Sequence, residues 1–198
     1  ARPDVFSSVV MMSAPFPGVP AFPFDTAENA PPSPPAGNDA QKLAAALAAL
    51  HPPREYYQRY LSSRAANADM WHPPQGLHAF LRAFYHVKSA DWPGNNPHPL
   101  KGRTAQDLAQ MPTYYVMDLG KTMPETVAPF HPSADEVRRC GWLTEAELGV
   151  YVEEYGRIGF QGALQAYRVL SDPTLTAELR LFSGRTIDVP SLFVGGEK

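Results

Sequence analysis

Short apolar runs lie near the two ends of the chain, and helix-forming patterns fill most of the sequence between them. Residues 5–14 form an apolar run rich in β-branched side chains, and residues 187–195 form a second run without helical period. Such runs are typical of strands that are buried on both faces of a parallel sheet. Neither run is long enough to be stable alone, so we predict that residues 9–13 and 191–194 pair as parallel strands.

Periodic apolar positions predict three helices in the first half of the intervening segment. Asn38 is a suitable N-cap for an alanine- and leucine-rich helix that ends before Pro52. A second helix is predicted to begin near Arg54. A third spans residues 75–89, where apolar side chains recur at spacings of three and four and predict one buried stripe. This stripe consists of Leu77, Phe80, Leu81, Phe84 and Val87 or Lys88.

Capping boxes predict three further helix starts. In this pattern a Ser or Thr side chain and an acidic side chain three residues later each bind the other's backbone N–H. The pairs are Thr104 with Asp107, Ser133 with Glu136, and Thr144 with Glu147. The last predicted helix leads into three closely spaced glycines, Gly156, Gly159 and Gly162, which predict a sharp corner because glycine permits positive φ.

Proline is concentrated in the first quarter of the chain. Of 22 prolines, 11 lie in the first 53 residues. Residues 14–38 are therefore interpreted as a proline-rich connector, with a P-x-x-P recognition ligand as the alternative. The first residues contain neither an initiator Met nor a signal-peptide pattern, so we interpret the chain as part of a longer protein.

Composition and charge exclude several functional classes. The 198 residues carry a formal net charge of −3 without charged blocks, which argues against nucleic-acid partners. Apolar runs are far shorter than the roughly 18 residues that a membrane helix needs. The single cysteine, Cys140, excludes an internal disulfide and is compatible with a cytoplasmic setting. Histidine and carboxylate spacings do not indicate a metal site, and we predict no cofactor.

The glycine corner carries a family resemblance. Gly159, Phe160, Gly162, Leu164, Tyr167 and Arg168 match the G-F-x-G-x-L-x-x-Y-R signature in the cap domain of epoxide hydrolases with the α/β-hydrolase fold. The chain differs from that family at Gln165 and Ala166, where Asn and Trp are usual. The resemblance implies that Tyr167 directs its phenol at the epoxide oxygen.

A second tyrosine follows from the same resemblance. Tyr57 precedes Gln58 as the first cap tyrosine of the family precedes its Gln, although Tyr56 and Tyr60 compete for this role. The resemblance further implies that Phe16 lies at the mouth of the active site. We therefore expect Tyr57 and Tyr167 to be catalytic, and Phe16 and Gln58 to bind the substrate.

The implied architecture is an α/β-hydrolase-fold fragment, in which a mostly helical cap domain is inserted between two parallel strands. Residues 1–16 and 181–198 would each supply a core-sheet strand, and residues 17–180 the proline-rich connector and the cap. The helices are expected to cover the carboxyl ends of the strands, where open α/β sheets bind ligands. The remaining hydrolase core, or self-association through the sheet edges, would supply further partners.

The expected activity is epoxide hydrolysis on a small apolar substrate. A phenol with a pKa near 10 remains protonated at pH 7 and can donate to the alkoxide that forms when an epoxide opens. The sequence contains neither G-x-S-x-G nor G-x-D-x-G, so the nucleophile would lie outside this chain, and the chain alone is predicted to be inactive. The alternatives are a serine-type ester hydrolase with the same cap and a non-catalytic helical module that binds a small molecule.

Overall fold

The computed structural model describes residues 4–13, 38–172, 174–175 and 177–195. The chain divides into two compact units, Gly37–Ser171, here called the helical unit, and Ala1–Ala36 with Asp172–Lys198, here called the strand unit. The predicted boundary after residue 16 lies outside the described residues. The predicted cover of helices over the strand ends stays a prediction.

The regular elements follow the order that the sequence suggests, with additions. The strands are β1 (Val9–Met12), β2 (Arg54–Tyr56), β3 (Val116–Asp118) and β4 (Ser191–Val194). The α-helices of the described residues are α1 (Asn38–Ala48), α2 (Tyr57–Ser62), α3 (Ala65–Trp71), α4 (Leu77–Val87), α5 (Ala105–Leu108), α6 (Met123–Val127), α7 (Ala134–Arg139), α8 (Glu145–Ile158) and α9 (Gln161–Ser171). Short 3-10 helices span Ala128–Phe130 and Ala177–Phe182. No helix within these residues is long and apolar enough to cross a bilayer.

In the strand unit, β1 and β4 pair in parallel, which confirms the predicted pairing. Val10 is opposite Leu192, and the register continues along all four residues of each strand. The Val9 amide donates to the Pro190 carbonyl oxygen at 3.1 Å, so proline contributes an acceptor at a position where no donor is required.

Burial of these strands on both faces was expected, and that expectation is wrong for the described residues. Met12 is 70% exposed and Leu192 is 56% exposed. The reason is that the described part of the strand unit adds only the 3-10 helix Ala177–Phe182 to two strands. Two strands cannot cover their own faces.

The helical unit confirms most of the predicted helices. Helix α1 begins at Asn38, and α4 buries Phe80, Leu81 and Val87 while Lys88 is exposed. All three predicted capping boxes are present, at the starts of α5, α7 and α8. A fourth, at Thr122 and Glu125, begins α6.

The second predicted helix begins three residues later than expected. Residues Arg54–Tyr56 form β2, which pairs antiparallel with β3. The pairing is favoured by an ion pair of 2.8 Å between Arg54 Nη1 and Asp118 Oδ1. Because residues 54–56 pair with β3, the helix begins only at Tyr57.

The core of the helical unit forms where α4 packs on α8 and α6. Its fully buried side chains include Phe80, Leu81, Met117 and Leu148. The predicted corner is formed by one glycine instead of three, because Gly156 lies within α8 and Gly162 lies within α9. Gly159 alone makes the turn, with φ of 65°.

Candidate functional site

Tyr57 is positioned by the junction of a strand and a helix. It is the first residue of α2 and follows directly on β2. Its amide donates to the Tyr115 carbonyl oxygen at 2.9 Å, which extends the β2–β3 pairing by one hydrogen bond. The ring of Tyr115 lies 5.3 Å from that of Tyr57 in an edge-to-face arrangement. Backbone and ring contacts with one neighbour therefore both orient Tyr57.

Tyr167 is positioned by the turn between α8 and α9. After Gly159, the Phe160 amide donates to Asn67 Oδ1 at 2.9 Å, and the Phe160 ring stacks on Tyr155 at 4.3 Å. Phe160 and Leu164 are 5% and 2% exposed. Residues at positions i, i+4 and i+7 share one face of a helix. Tyr167 therefore lies on the same face as the buried side chains of Phe160 and Leu164.

Helices α2 and α9 lie side by side and bring the two tyrosines together. Ser62 Oγ donates to the Tyr167 carbonyl oxygen at 3.1 Å, and Arg168 Nη2 donates to the Ser63 carbonyl oxygen at 3.3 Å. The rings of Tyr57 and Tyr167 are 6.0 Å apart between centroids, at an interplanar angle of 76°. Residues far apart in sequence thus form one half-buried aromatic pair.

The surroundings of the pair favour the protonated phenol of Tyr167. Burial raises the pKa of Tyr167 above its usual value near 10, and the neighbouring phenols of Tyr57 and Tyr115 and a hydrogen bond with the Tyr57 side chain raise it further. A protonated phenol can donate a hydrogen bond or a proton to an oxygen on which negative charge develops. The pair is therefore chemically suited to the role of an oxyanion donor.

The structure describes one of the two predicted substrate-binding residues, and the role of both stays a prediction. Gln58 is exposed, and its Nε2 donates to Tyr57 Oη at 3.4 Å. In this contact Tyr57 Oη is the acceptor. Phe16 lies outside the described residues, so its role stays a prediction.

Sequence reasoning missed one neighbour of the pair, Tyr115, and named Tyr56 only as a competitor for the role of Tyr57. Tyr115 contacts Tyr57, and the Tyr56 ring lies 5.0 Å from the Tyr57 ring. Burial, followed by the charge of Tyr57, raises the pKa of Tyr115. The Tyr114–Tyr115 pair could have been noticed as a counterpart of Tyr56–Tyr57. The contact between Tyr57 and Tyr115 nevertheless depends on the pairing of strands that lie about 60 residues apart in sequence, which local patterns do not show.

Two surface cavities of the helical unit lie elsewhere. One, of about 310 Å³, is lined by residues that include Arg82, His86 and Cys140. The other, of about 400 Å³, is lined by residues that include Lys88 and Trp142. Neither includes Tyr57 or Tyr167, so a cavity shared by the two hydroxyl groups stays a prediction. Among the residues that the structure describes, no three His, Cys, Asp or Glu side chains converge as metal ligands.

Comparison with known proteins gives a partial sequence match and a fold match. No known protein-family profile matches the chain. Epoxide hydrolase A from Mycobacterium tuberculosis is 43% identical over 56 residues, which are 28% of this chain and 16% of that protein.

A solved structure extends the similarity at the level of fold. The crystal structure of epoxide hydrolase A from Mycobacterium thermoresistibile matches with a TM-score of 0.56 and 20% identity, covering 99% of this chain and 47% of that one. The chain thus spans about half the length of its solved relative. The local sequence match and the shared α/β-hydrolase fold together relate this chain, over part of its length, to the epoxide hydrolases.

Proposed function

We propose that this chain is the cap-bearing part of an epoxide hydrolase, in which Tyr57 and Tyr167 hold the epoxide oxygen. The observation that carries the proposal is the convergence of these two phenols from α2 and α9, with 6.0 Å between ring centroids. Both belong to the segments that resemble the epoxide hydrolase cap. Because the two phenols lie close together and have the same chemistry, they are suited to contact one substrate oxygen jointly.

The proposed reaction needs a nucleophile from outside this chain. A carboxylate would attack one epoxide carbon, the C–O bond would break, and the oxygen would leave as an alkoxide. Because an alkoxide is a strongly basic leaving group, donors placed at this oxygen lower the barrier. One phenol would donate its proton, and the other would donate a hydrogen bond. Water would then hydrolyse the resulting ester.

The test is Phe substitution of each tyrosine in the full-length protein that contains this chain. Tyr57→Phe and Tyr167→Phe should each lower kcat for styrene oxide by on the order of 10²-fold, because loss of one oxyanion donor has about this effect. Circular dichroism should show an unchanged fold. Tyr151→Phe is the matched control, since this tyrosine is 44% exposed and lies on α8.

Three outcomes would contradict the proposal. An unchanged rate in the Tyr57→Phe/Tyr167→Phe double variant would show that the two hydroxyl groups take no part in the reaction. A larger loss in Tyr56→Phe than in Tyr57→Phe would assign the role to the neighbouring tyrosine. A serine at the nucleophile position of the full-length protein would favour ester hydrolysis instead.

A further inference from the structure

Lys88 places a cation beside the aromatic side chains that surround the tyrosine pair. Its Nζ lies 4.3 Å from the ring centroid of Tyr114, 4.7 Å from that of Tyr115 and 5.1 Å from that of Phe84. Three ring faces around one ammonium group form a cation–π site that is stronger than a single contact. We refer to Lys88 and these three rings as the lysine cage.

The ammonium of Lys88 has no anionic partner within the described residues. No described carboxylate forms an ion pair with it, whereas Lys42 lies 3.8 Å from Asp39 and Lys121 lies 2.8 Å from Asp118. Although Lys88 is exposed as a residue, crowding of its ammonium by the rings lowers its pKa to about 8. A cation that has lost part of its solvation and has no ionic partner is stabilised by a bound anion.

The lysine cage is connected to the tyrosine pair through Tyr115. The Lys88 Nζ lies 4.7 Å from the Tyr115 centroid, and that centroid lies 5.3 Å from the Tyr57 centroid, so Nζ is at most about 10 Å from the Tyr57 ring. Tyr57, Tyr115, Phe84 and Tyr167 are all half-buried. A separation of about 10 Å is within the length of one small molecule that carries an aromatic ring.

We propose that Lys88 is a specificity-determining residue that favours epoxides carrying an anionic group about one aromatic ring away from the epoxide. This inference rests on the proposed function for its substrate class. Tyr57 and Tyr167 would hold the epoxide oxygen, and Lys88 would bind the anion. The rings between them would contact the apolar part of the substrate.

The titratable groups near the ammonium allow a pH test. Tyr114 and Tyr115 face it from the segment that leads into β3, and Asp91 lines the neighbouring cavity with Lys88. Burial raises the pKa of Tyr114 to about 12 and also raises that of Tyr115. Lys88 is therefore the member of the lysine cage that changes charge near pH 8 in the free protein.

The experiment compares three epoxides in the full-length protein: styrene oxide, its para-carboxylate and its para-carboxamide. The carboxamide matches the carboxylate in size but has no charge. Below pH 8, we expect kcat/KM to favour the carboxylate over the carboxamide by on the order of 10-fold, as for a charge-assisted contact. This preference in kcat/KM should decline as the pH rises through about 8, because kcat/KM follows the protonation of the free protein.

Three variants separate the role of Lys88 from a general charge effect. Lys88→Met should abolish the preference and retain turnover of styrene oxide. Lys88→Arg should retain the preference at higher pH, since guanidinium stays charged. Lys42→Met removes the same charge from a side chain that is 73% exposed and should leave the preference unchanged. An unchanged preference in Lys88→Met, or an equal loss on all three substrates, would overturn the inference.

A binding measurement distinguishes failure of this inference from failure of the proposed function. Benzoate should raise the pKa of the Lys88 ammonium in an NMR titration, and benzamide should not. Lys88→Met should bind benzoate roughly 10-fold more weakly than the unsubstituted protein. Equal affinity of Lys88→Met and the unsubstituted protein for benzoate would overturn the inference even if epoxides are hydrolysed. Selective benzoate binding without hydrolysis would retain the anion site and reject the proposed function.

Discussion

At Gly159 a single residue determines the direction of α9. Its φ of 65° and ψ of −164° lie in a region that only glycine readily adopts. A Cβ atom at this position would lie 3.1 Å from Asn67 Oδ1 and 3.1 Å from the Trp71 ring. Conformation and space therefore both require glycine, and the direction of Tyr167 depends on it.

We expect Gly159→Ala to lower the free energy of unfolding by about 1–3 kcal/mol, the usual cost of one strongly strained residue. Gly162→Ala is the matched control, since Gly162 lies within α9 and a Cβ there would meet no atom within 4 Å. It should raise stability by up to about 1 kcal/mol, because alanine favours helix. Urea unfolding of both variants measures the contrast. Equal effects would show that the corner does not depend on Gly159.

The helix starts show how local chemistry positions whole elements. At Thr104, Thr122, Ser133 and Thr144, a hydroxyl oxygen accepts from the N3 backbone amide, and the N3 carboxylate accepts from the N-cap amide. These hydrogen bonds satisfy donors that the helix cannot satisfy itself. The hydrogen bonds to the carboxylates are strongest when the carboxylates are ionised.

This dependence predicts loss of stability in acid. Hydrogen bonds from Thr104 lower the pKa of Asp107, and those from Thr144 lower the pKa of Glu147. A carboxyl group with a lowered folded-state pKa stabilises the protein above its unfolded pKa, and this contribution is lost as the pH falls through the folded value. Thermal unfolding should therefore shift to lower temperature as the pH falls below about 5.

Glu147→Gln tests the charge separately from the hydrogen bonds. The amide can still accept from the Thr144 backbone, but it cannot titrate. We expect this variant to be less stable than the unsubstituted protein at pH 7 and closer to it in stability at pH 3. A constant difference between pH 7 and pH 3 would contradict the assignment.

Element boundaries set by neighbouring residues were predictable from the sequence, and those set by distant residues were not. Capping at Thr104, Ser133 and Thr144 is readable from residues three positions apart. The start of α2 at Tyr57 was not predictable, because it depends on the pairing of Arg54 with the distant residue Asp118. The approach of Tyr57 and Tyr167 was expected from the family resemblance. The part of the site built by Tyr115 and Lys88 requires the β2–β3 register and the end of α4.

At the scale of the whole molecule, the exposed strand pair predicts association. Val10 and Leu192 are opposite one another and are 53% and 56% exposed. Apolar strand faces and unpaired edges favour contacts between chains. The 198-residue chain should therefore form larger species as its concentration rises.

Val10→Lys should reduce this association, because a charged side chain on a strand opposes strand-to-strand contacts. Val150→Lys is the control, since Val150 is 62% exposed and lies on α8 in the helical unit. Sedimentation velocity over a range of concentrations measures both variants. Equal reduction by the two substitutions would locate the association outside the strand pair.

The division into two units also determines what can be observed by tryptophan fluorescence. Trp71, Trp92 and Trp142 are the three tryptophans of the sequence, and all lie in the helical unit. The Trp71 indole donates to the Gly156 carbonyl oxygen at 2.9 Å, so its emission depends on contact between α3 and α8. Both residues of this contact belong to the helical unit, so a loss of structure confined to the strand unit would leave the contact in place. Fluorescence can therefore report a native signal from a protein whose strands have already separated.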